Sequence, residues 1–150
     1  MRPTVVIVSG LPAAGKSSLS RRLARDLGFV VVCRDRLVVE SGLRDVQAAL
    51  PAGQWQMVPA TTDRIMNFLI DAVLDAGQGV VIDGNFNWHE QRQPVRELVE
   101  RRRARSIEIC LWGEPAVLKE RFERRADPPM TVESAQLRLD RANAWSSSWP

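Results

Sequence analysis

A glycine-rich segment near the start of the chain carries the residue types best suited to binding phosphate. Residues 10–17 read GLPAAGKS, which matches the pattern G-x-x-x-x-G-K-[ST] between an apolar run and a helical pattern. The two glycines allow a curled backbone whose N–H groups point inward at phosphate oxygens. Lys16 is expected to reach the β- and γ-phosphates of a nucleoside triphosphate, and Ser17 to ligate Mg²⁺. We refer to residues 10–17 as the phosphate loop.

Two carboxylates follow apolar, strand-like runs. Asp35 comes shortly after the run at residues 29–33, and Asp83 directly after residues 80–82. In a parallel sheet the carboxyl ends of the strands open on the ligand crevice. We expect Asp83 to hold Mg²⁺ through a water, and Asp35 to accept the proton of an attacking hydroxyl. Both also have structural alternatives, because Asp is a common turn residue and Asp35 could cap the following helix.

A pair of arginines marks a late helical pattern. Arg121 and Arg125 are four residues apart, so they share a helix face and could clamp one anionic group. Two prolines at 128 and 129 break the helix, and we interpret residues 121–133 as a lid. Arginines on a closing lid stabilise the charge of a transferring phosphoryl group. A solvated helix face is the alternative for such a charged run.

The remaining chain supplies elements that would position these residues. Four short β-branched runs, at 5–8, 29–33, 80–82 and 107–112, are typical of strands buried on both faces of a parallel sheet. Helical patterns alternate with them at 17–27, 61–76, 87–103 and 115–125, and another begins at Thr131. This alternation predicts a three-layer α/β architecture. At 150 residues, we expect one domain over 1–150.

Composition excludes several other classes of protein. Apolar residues make up 45% and charged residues 26%, which is ordinary globular usage. No run is long enough to span a bilayer and no signal-peptide pattern is present, so we expect a cytoplasmic protein with no membrane partner. Cys33 and Cys110 lie in strand-like runs and are interpreted as small core residues. The net charge of +3 does not by itself identify nucleic acid as a partner.

Taken together, these motifs resemble the compact P-loop kinases grouped with phage-type polynucleotide kinase, zeta toxin and chloramphenicol phosphotransferase. The resemblance covers residues 4 to about 143. The family pattern has a phosphate loop, an Asp after the second strand, a D-x-N-x-N stretch after the third, and an arginine-bearing lid. This sequence supplies the phosphate loop, Asp35, Asp83, Asn85, Asn87, Arg121 and Arg125. The resemblance implies a P-loop NTPase fold with a mostly parallel sheet of about four strands in the order 2-3-1-4 and a helical lid.

The motifs and the resemblance together assign ligands to particular residues. They imply that ATP, or alternatively GTP, binds with Mg²⁺, and the resemblance makes Asp35 the acceptor-activating base. The nucleotide is assigned to Gly10, Ala13, Ala14, Gly15, Lys16, Ser17, Ser18 and Arg121. The metal is assigned to Ser17 and Asp83, and catalysis to Asp35, Lys16, Arg121 and Arg125. The acceptor is assigned to Asp35, Arg36, Asp83, Asn85 and Trp55.

Two departures from the family pattern bear on the acceptor. Polynucleotide kinases of this kind carry an arginine three residues after the base, where this chain has Val38, so an oligonucleotide acceptor is less favoured. The usual fifth strand after the lid helix is also absent from the pattern, which predicts an open or differently built nucleobase pocket. We expect residues 43–62 to bind the acceptor through side chains such as Trp55, although core filling explains that residue equally well.

Three functions fit these observations. The leading hypothesis is an ATP-dependent phosphotransferase acting on a hydroxyl of a small molecule such as an antibiotic or another metabolite. A polynucleotide 5′-hydroxyl kinase is the alternative within the enzyme class. A nucleotide-dependent switch that transfers no phosphate is the alternative outside it. Asp35 discriminates between the classes, because a switch has no use for a base beside an acceptor site.

Overall fold

The structure, a computed structural model, describes residues 2–51, 53–54, 56–86 and 89–124. In chain order its elements are β1 (Thr4–Gly10), α1 (Lys16–Leu27), β2 (Val30–Cys33), α2 (Arg34–Glu40), α3 (Leu43–Ala49), α4 (Met57–Asp75), β3 (Val80–Asp83), α5 (His89–Arg101), β4 (Arg105–Leu111) and α6 (Pro115–Glu123). The four predicted strands and the four helical patterns before residue 125 are all present. The pattern beginning at Thr131 lies outside the described residues.

The four strands form one parallel sheet in the order β2-β3-β1-β4, as the resemblance implied. Alternate residues of β1 face opposite sides of this sheet. Val5 and Ile7 belong to a core cluster that includes α4 and α5 side chains. Val6 and Val8 belong to a second cluster that includes Ala24 of α1. Helices therefore cover both faces, and the predicted three-layer architecture is confirmed.

The two outer strands are less buried than predicted. Val30 in β2 is 42% exposed and Ile107 in β4 is 38% exposed, whereas the central strand β1 is buried from Val5 onward. β2 and β4 stand at the two ends of the sheet order, so among the described residues each has a neighbouring strand on one side only. Cys110 on β4 is exposed and Cys33 is half-buried, so the interpretation of Cys110 as a core residue is wrong.

The longest of the described helices, α4, presents a buried stripe with a spacing of four residues. Val58, Thr62, Met66, Ile70 and Leu74 are buried along it. The Thr62 hydroxyl donates a hydrogen bond of 2.8 Å to the Val58 carbonyl, which satisfies this polar group inside the core. No helix among the described residues has both the length and the apolar composition needed to cross a bilayer.

Candidate functional site

The phosphate loop joins the end of β1 to the start of α1. Gly10 ends β1 with φ 136°, and Gly15 precedes α1 with φ 91°, both conformations that favour glycine. Ala13 also adopts a positive φ of 61°, which is uncommon for a residue with a side chain. A Cβ added to Gly10 would lie 2.2 Å from the Leu111 carbonyl oxygen at the end of β4. The first glycine of the motif is therefore required both for the turn and for close packing against β4.

The lysine of the loop folds back over its own backbone. The Lys16 ammonium donates hydrogen bonds of 3.1 Å to the Gly10 carbonyl and 2.9 Å to the Leu11 carbonyl. α1 begins at Lys16 with no side chain hydrogen-bonded at its cap. The amide groups at the start of this helix and the lysine charge together suit a bound anion.

A cavity of about 240 Å³, here termed the loop cavity, opens beside the phosphate loop. Side chains from several distant parts of the chain meet there. It is lined by Pro12, Ala13, Gly15, Lys16, Ser17, Ser18, Arg21, Asp35, Asn85 and Arg121. Gly10, Ala14, Arg36 and Asp83, which the sequence also assigned to ligands, are outside this lining. Arg21 was missed, although its position four residues after Ser17 on α1 could have indicated it; its Nε donates to the Ser17 carbonyl at 3.0 Å.

Asp35 reaches the loop cavity from the first turn of α2. The helix begins at Arg34, and Cys33 occupies the cap position with an extended backbone. The alternative interpretation of Asp35 as the cap of this helix is therefore wrong. Arg36, one residue further, is 72% exposed and its Nε bonds Glu40 at 2.9 Å, away from the loop cavity.

Asp83 ends β3 and is buried, with 4% of its surface exposed. It lies level with Val8 on β1 and with Cys33 on β2. The Cys33 thiol donates to the Asp83 carboxylate, with 3.4 Å between Sγ and Oδ2. Burial raises the pKa of the Cys33 thiol to about 11. A backbone hydrogen bond at Arg36 opposes this rise, and the negative charge of Asp83 adds to it.

The donor set near the loop suits a hard cation that keeps part of its water. Among the described residues no three His, Cys, Asp or Glu side chains cluster into a cage for a metal ion. The hydroxyl of Ser17 and the carboxylate of Asp83 are oxygen donors. Mg²⁺ is commonly bound by one or two such groups together with phosphate oxygens and waters. These two residues fit that mode of binding.

Arg121 lines the loop cavity from the last turn of α6. Leu118 and Phe122 on this helix are buried, and Leu118 packs against Leu11 of the phosphate loop. This contact holds the helix beside the loop. The second arginine of the predicted clamp, Arg125, and the rest of the lid to residue 133 lie outside the described residues, as do Trp55 and Asn87.

A second, smaller cavity of about 50 Å³, here termed the side cavity, adjoins the first. It is lined by Arg34, Asp63, Met66, Asn67, Asn85, Phe86, Gln91 and Pro94. Arg34 Nε lies 2.8 Å from Asp63 Oδ1, and Asn67 Oδ1 is buried without a hydrogen-bond partner among the described residues. The predicted acceptor stretch, 43–62, contributes none of its described residues to either cavity, and Met57 within it is 61% exposed.

Comparison with known proteins identifies both a family and a set of similar folds. Residues 5–144 match the model of the family described as AAA domain. A candidate kinase from Chloroflexus aurantiacus is 25% identical, with a TM-score of 0.73 over 90% of this chain and 76% of that one. A gluconokinase from Sinorhizobium meliloti 1021 is 22% identical, with a TM-score of 0.63 over 92% and 74% of the two chains. A chain of the Pnkp1/Rnl/Hen1 RNA repair complex is 18% identical, with a TM-score of 0.68 over 95% and 46%.

Proposed function

The chain belongs to the AAA domain family of P-loop kinases, and on that premise we propose that it is an ATP-dependent phosphotransferase acting on a hydroxyl of a small molecule. One observation carries the proposal. Asp35 lines the same cavity as Lys16 and Ser17 of the phosphate loop. A carboxylate at that position can meet a hydroxyl beside the terminal phosphate, whereas a nucleotide switch would not need it.

The proposed reaction divides its tasks among the residues of the loop cavity. Asp35 accepts the proton of the acceptor hydroxyl while the hydroxyl oxygen forms a bond to the γ-phosphorus. The bond from that phosphorus to the β–γ bridging oxygen breaks, and ADP leaves. Lys16 and Arg121 stabilise the negative charge on the phosphoryl oxygens. Ser17, and Asp83 through a water, would hold Mg²⁺, which would supply positive charge to the phosphates of the nucleotide.

A small acceptor is favoured over a polynucleotide by the surroundings of Asp35. The side cavity, which begins at the neighbouring Arg34, has a volume of about 50 Å³ and takes one portion of a small molecule. Its basic side chain, Arg34, is already paired with Asp63. Val38 stands where the resemblance to polynucleotide kinases would require arginine. The gluconokinase and the RNA repair chain are similar to this chain at 22% and 18% identity, a level at which they share the fold alone.

The decisive variant is Asp35→Asn, compared with Asp45→Asn as a matched control. Both residues lie in the first turn of a seven-residue helix, and Asp45 lines neither cavity. The amide introduced by Asp35→Asn keeps the shape of the carboxylate but cannot take a proton. We expect this variant to bind ATP nearly as the parent does, by calorimetry, and to lose about 10²- to 10⁴-fold in kcat.

Lys16→Met serves as the second variant, because it should weaken ATP binding itself. Parent rates of phosphate transfer in Asp35→Asn would show that Asp35 is not the base of the reaction and would remove the observation that carries the proposal. Unchanged ATP affinity in Lys16→Met would remove the phosphate-loop assignment altogether.

A further inference from the structure

The side cavity lies where the non-reacting part of an acceptor would extend. Asn85 lines both cavities. Arg34, in the wall of the side cavity, immediately precedes Asp35 in the wall of the loop cavity. The two cavities are therefore adjacent at Asn85, and a molecule whose hydroxyl meets Asp35 would extend towards the side cavity. Its volume of about 50 Å³ holds a few water-sized groups, so it would take one portion of a small molecule.

The lining of this cavity mixes apolar and polar side chains. Met66, Phe86 and Pro94 form apolar walls, while amides and an ion pair supply the polar ones. Ligand sites commonly combine a mainly apolar lining with a few polar groups that fix orientation. Hydroxylated carbons suit such a lining, because their C–H groups can contact the apolar walls while their hydroxyls bond the polar groups.

Asn67 gives the side cavity a hydrogen-bonding position that suits a ligand of a particular kind. Its Oδ1 is buried and lacks a hydrogen-bond partner among the described residues. Buried polar atoms almost always have a partner, because leaving one unpaired is unfavourable. If the side-chain amide is rotated by about 180°, its NH₂ group takes the position of Oδ1 and needs a hydrogen-bond acceptor instead. A hydroxyl group satisfies either orientation since it both donates and accepts, whereas a carboxylate or phosphate only accepts.

The charges of the side cavity oppose an anionic ligand. Arg34 Nε and Asp63 Oδ1 are 2.8 Å apart, so the two formal charges largely cancel. An anion placed there would meet an arginine already paired and would be repelled by the carboxylate of Asp63. A hydroxyl, in contrast, can donate to that carboxylate without disturbing the ion pair, because an ionised carboxylate has several acceptor positions.

Resting on the kinase function proposed above, we propose that the side cavity is the specificity subsite for the acceptor. The acceptor is an uncharged polyhydroxylated compound, a sugar or a polyol. One of its hydroxyls reacts beside Asp35, and others bond Asn67 and Asp63. Neither of these two residues belongs to the phosphate loop, and neither falls in the acceptor stretch expected from the sequence.

The acceptor class is tested by phosphate transfer from ATP to a defined panel. The panel contains neutral hexoses, straight-chain polyols, a sugar acid, a sugar phosphate and an oligonucleotide with a free 5′-hydroxyl. Product is detected by mass spectrometry, and ATP binding is measured separately by calorimetry. We expect the unsubstituted chain to phosphorylate a neutral sugar or polyol in preference to the charged compounds.

The subsite is tested by Asn67→Leu and Asp63→Asn on the acceptor that the panel identifies. Asp75→Asn is the matched control, because Asp75 on α4 also pairs with an arginine, namely Arg102, but lies outside both cavities. We expect the acceptor KM to rise about tenfold or more in both test variants, with a much smaller change in the KM for ATP. The control should keep the parent KM for the acceptor.

A thermal melt separates a ligand-binding role of Asn67 from a structural one. Leucine removes the unpaired buried amide and fills similar space, so Asn67→Leu should melt at or above the parent temperature. A structural asparagine would give a lower melting temperature instead. Should Asn67→Leu fail to fold, Asp63→Asn, whose side chain is half-exposed, still decides the KM prediction.

Three results would overturn the inference. The first is transfer only to charged or polynucleotide acceptors, or to no compound of the panel, by a protein that binds ATP. The second is an unchanged acceptor KM in Asn67→Leu and Asp63→Asn, or an equal rise in Asp75→Asn. Transfer to another acceptor, like the second result, leaves the kinase proposal to its own test at Asp35, whereas transfer to no compound of the panel would count against the kinase proposal as well. The third is a parent protein that does not bind ATP, which removes the proposed function and the inference with it.

Discussion

Replacing Gly10 with alanine tests the geometry at the base of the phosphate loop. The added Cβ would lie 2.2 Å from the Leu111 carbonyl oxygen. To relieve this contact, β4 or the phosphate loop would have to move by most of an ångström. The φ of 136° is itself strained for alanine, at about 1–3 kcal/mol. Displacing packed backbone adds about 1–3 kcal/mol. The two effects predict a loss of roughly 2–6 kcal/mol in the free energy of unfolding, a large share of the roughly 5–15 kcal/mol typical of a domain.

The assay is thermal and chemical unfolding followed by circular dichroism, with Gly77→Ala as the control. Gly77 also has a positive φ, of 72°, but an added Cβ there meets no atom within 4 Å. We expect the control to lose about 1–2 kcal/mol, from backbone strain alone. Gly10→Ala should melt roughly 5–20 °C below the parent and bind ATP weakly, because its loop is displaced. Equal melting temperatures for the two variants would refute the argument from close packing.

Four further predictions concern Asp83, Arg121 and the two cysteines. Asp83→Asn should raise the Mg²⁺ concentration required for half-maximal transfer at saturating ATP, and an unchanged titration would exclude its part in holding the metal. Arg121→Ala should lower kcat by at least about tenfold without altering that titration, which steady-state kinetics at fixed Mg²⁺ would measure. In the folded protein at pH 8, iodoacetamide should modify the exposed Cys110 well before Cys33, as peptide mass spectrometry would report. Because the pKa of Cys33 is raised from 9.0 to about 11, its contribution to stability is complete below pH 9 and declines as the pH rises towards 11.

The sequence predicted those parts of the fold that local residue patterns determine. The two glycines and Lys16 of the phosphate loop form a contiguous motif, and the strand and helix around it follow the expected periodicities. Strand order followed from resemblance to a family. The alternative with Asp35 as a cap was wrong although Asp35 is a good cap residue in isolation, because the helix already begins at Arg34 with Cys33 at the cap position.

The side cavity could not be predicted because its residues meet only through tertiary packing. Arg34 and Asp63 are 29 residues apart, and their ion pair depends on how α4 lies against α2. Neither residue stands in a recognisable motif. The exposure of β4 was missed for a related reason. A run of β-branched residues indicates a strand but does not show whether that strand is central or outer in the sheet.

The order of the strands has a consequence for how the protein folds. β1 is made first, yet Val5 pairs with Val80 on one side and with Ser106 on the other. Contacts between residues so distant in sequence form slowly, because a long loop must close before they stabilise the chain. During synthesis β1 can therefore pair only after β3 and β4 have been made, and Gly10 at its end meets Leu111 of β4 only then. Variants that weaken the pairing of β1 should accordingly slow refolding, and an apolar strand left unpaired in the meantime would favour aggregation.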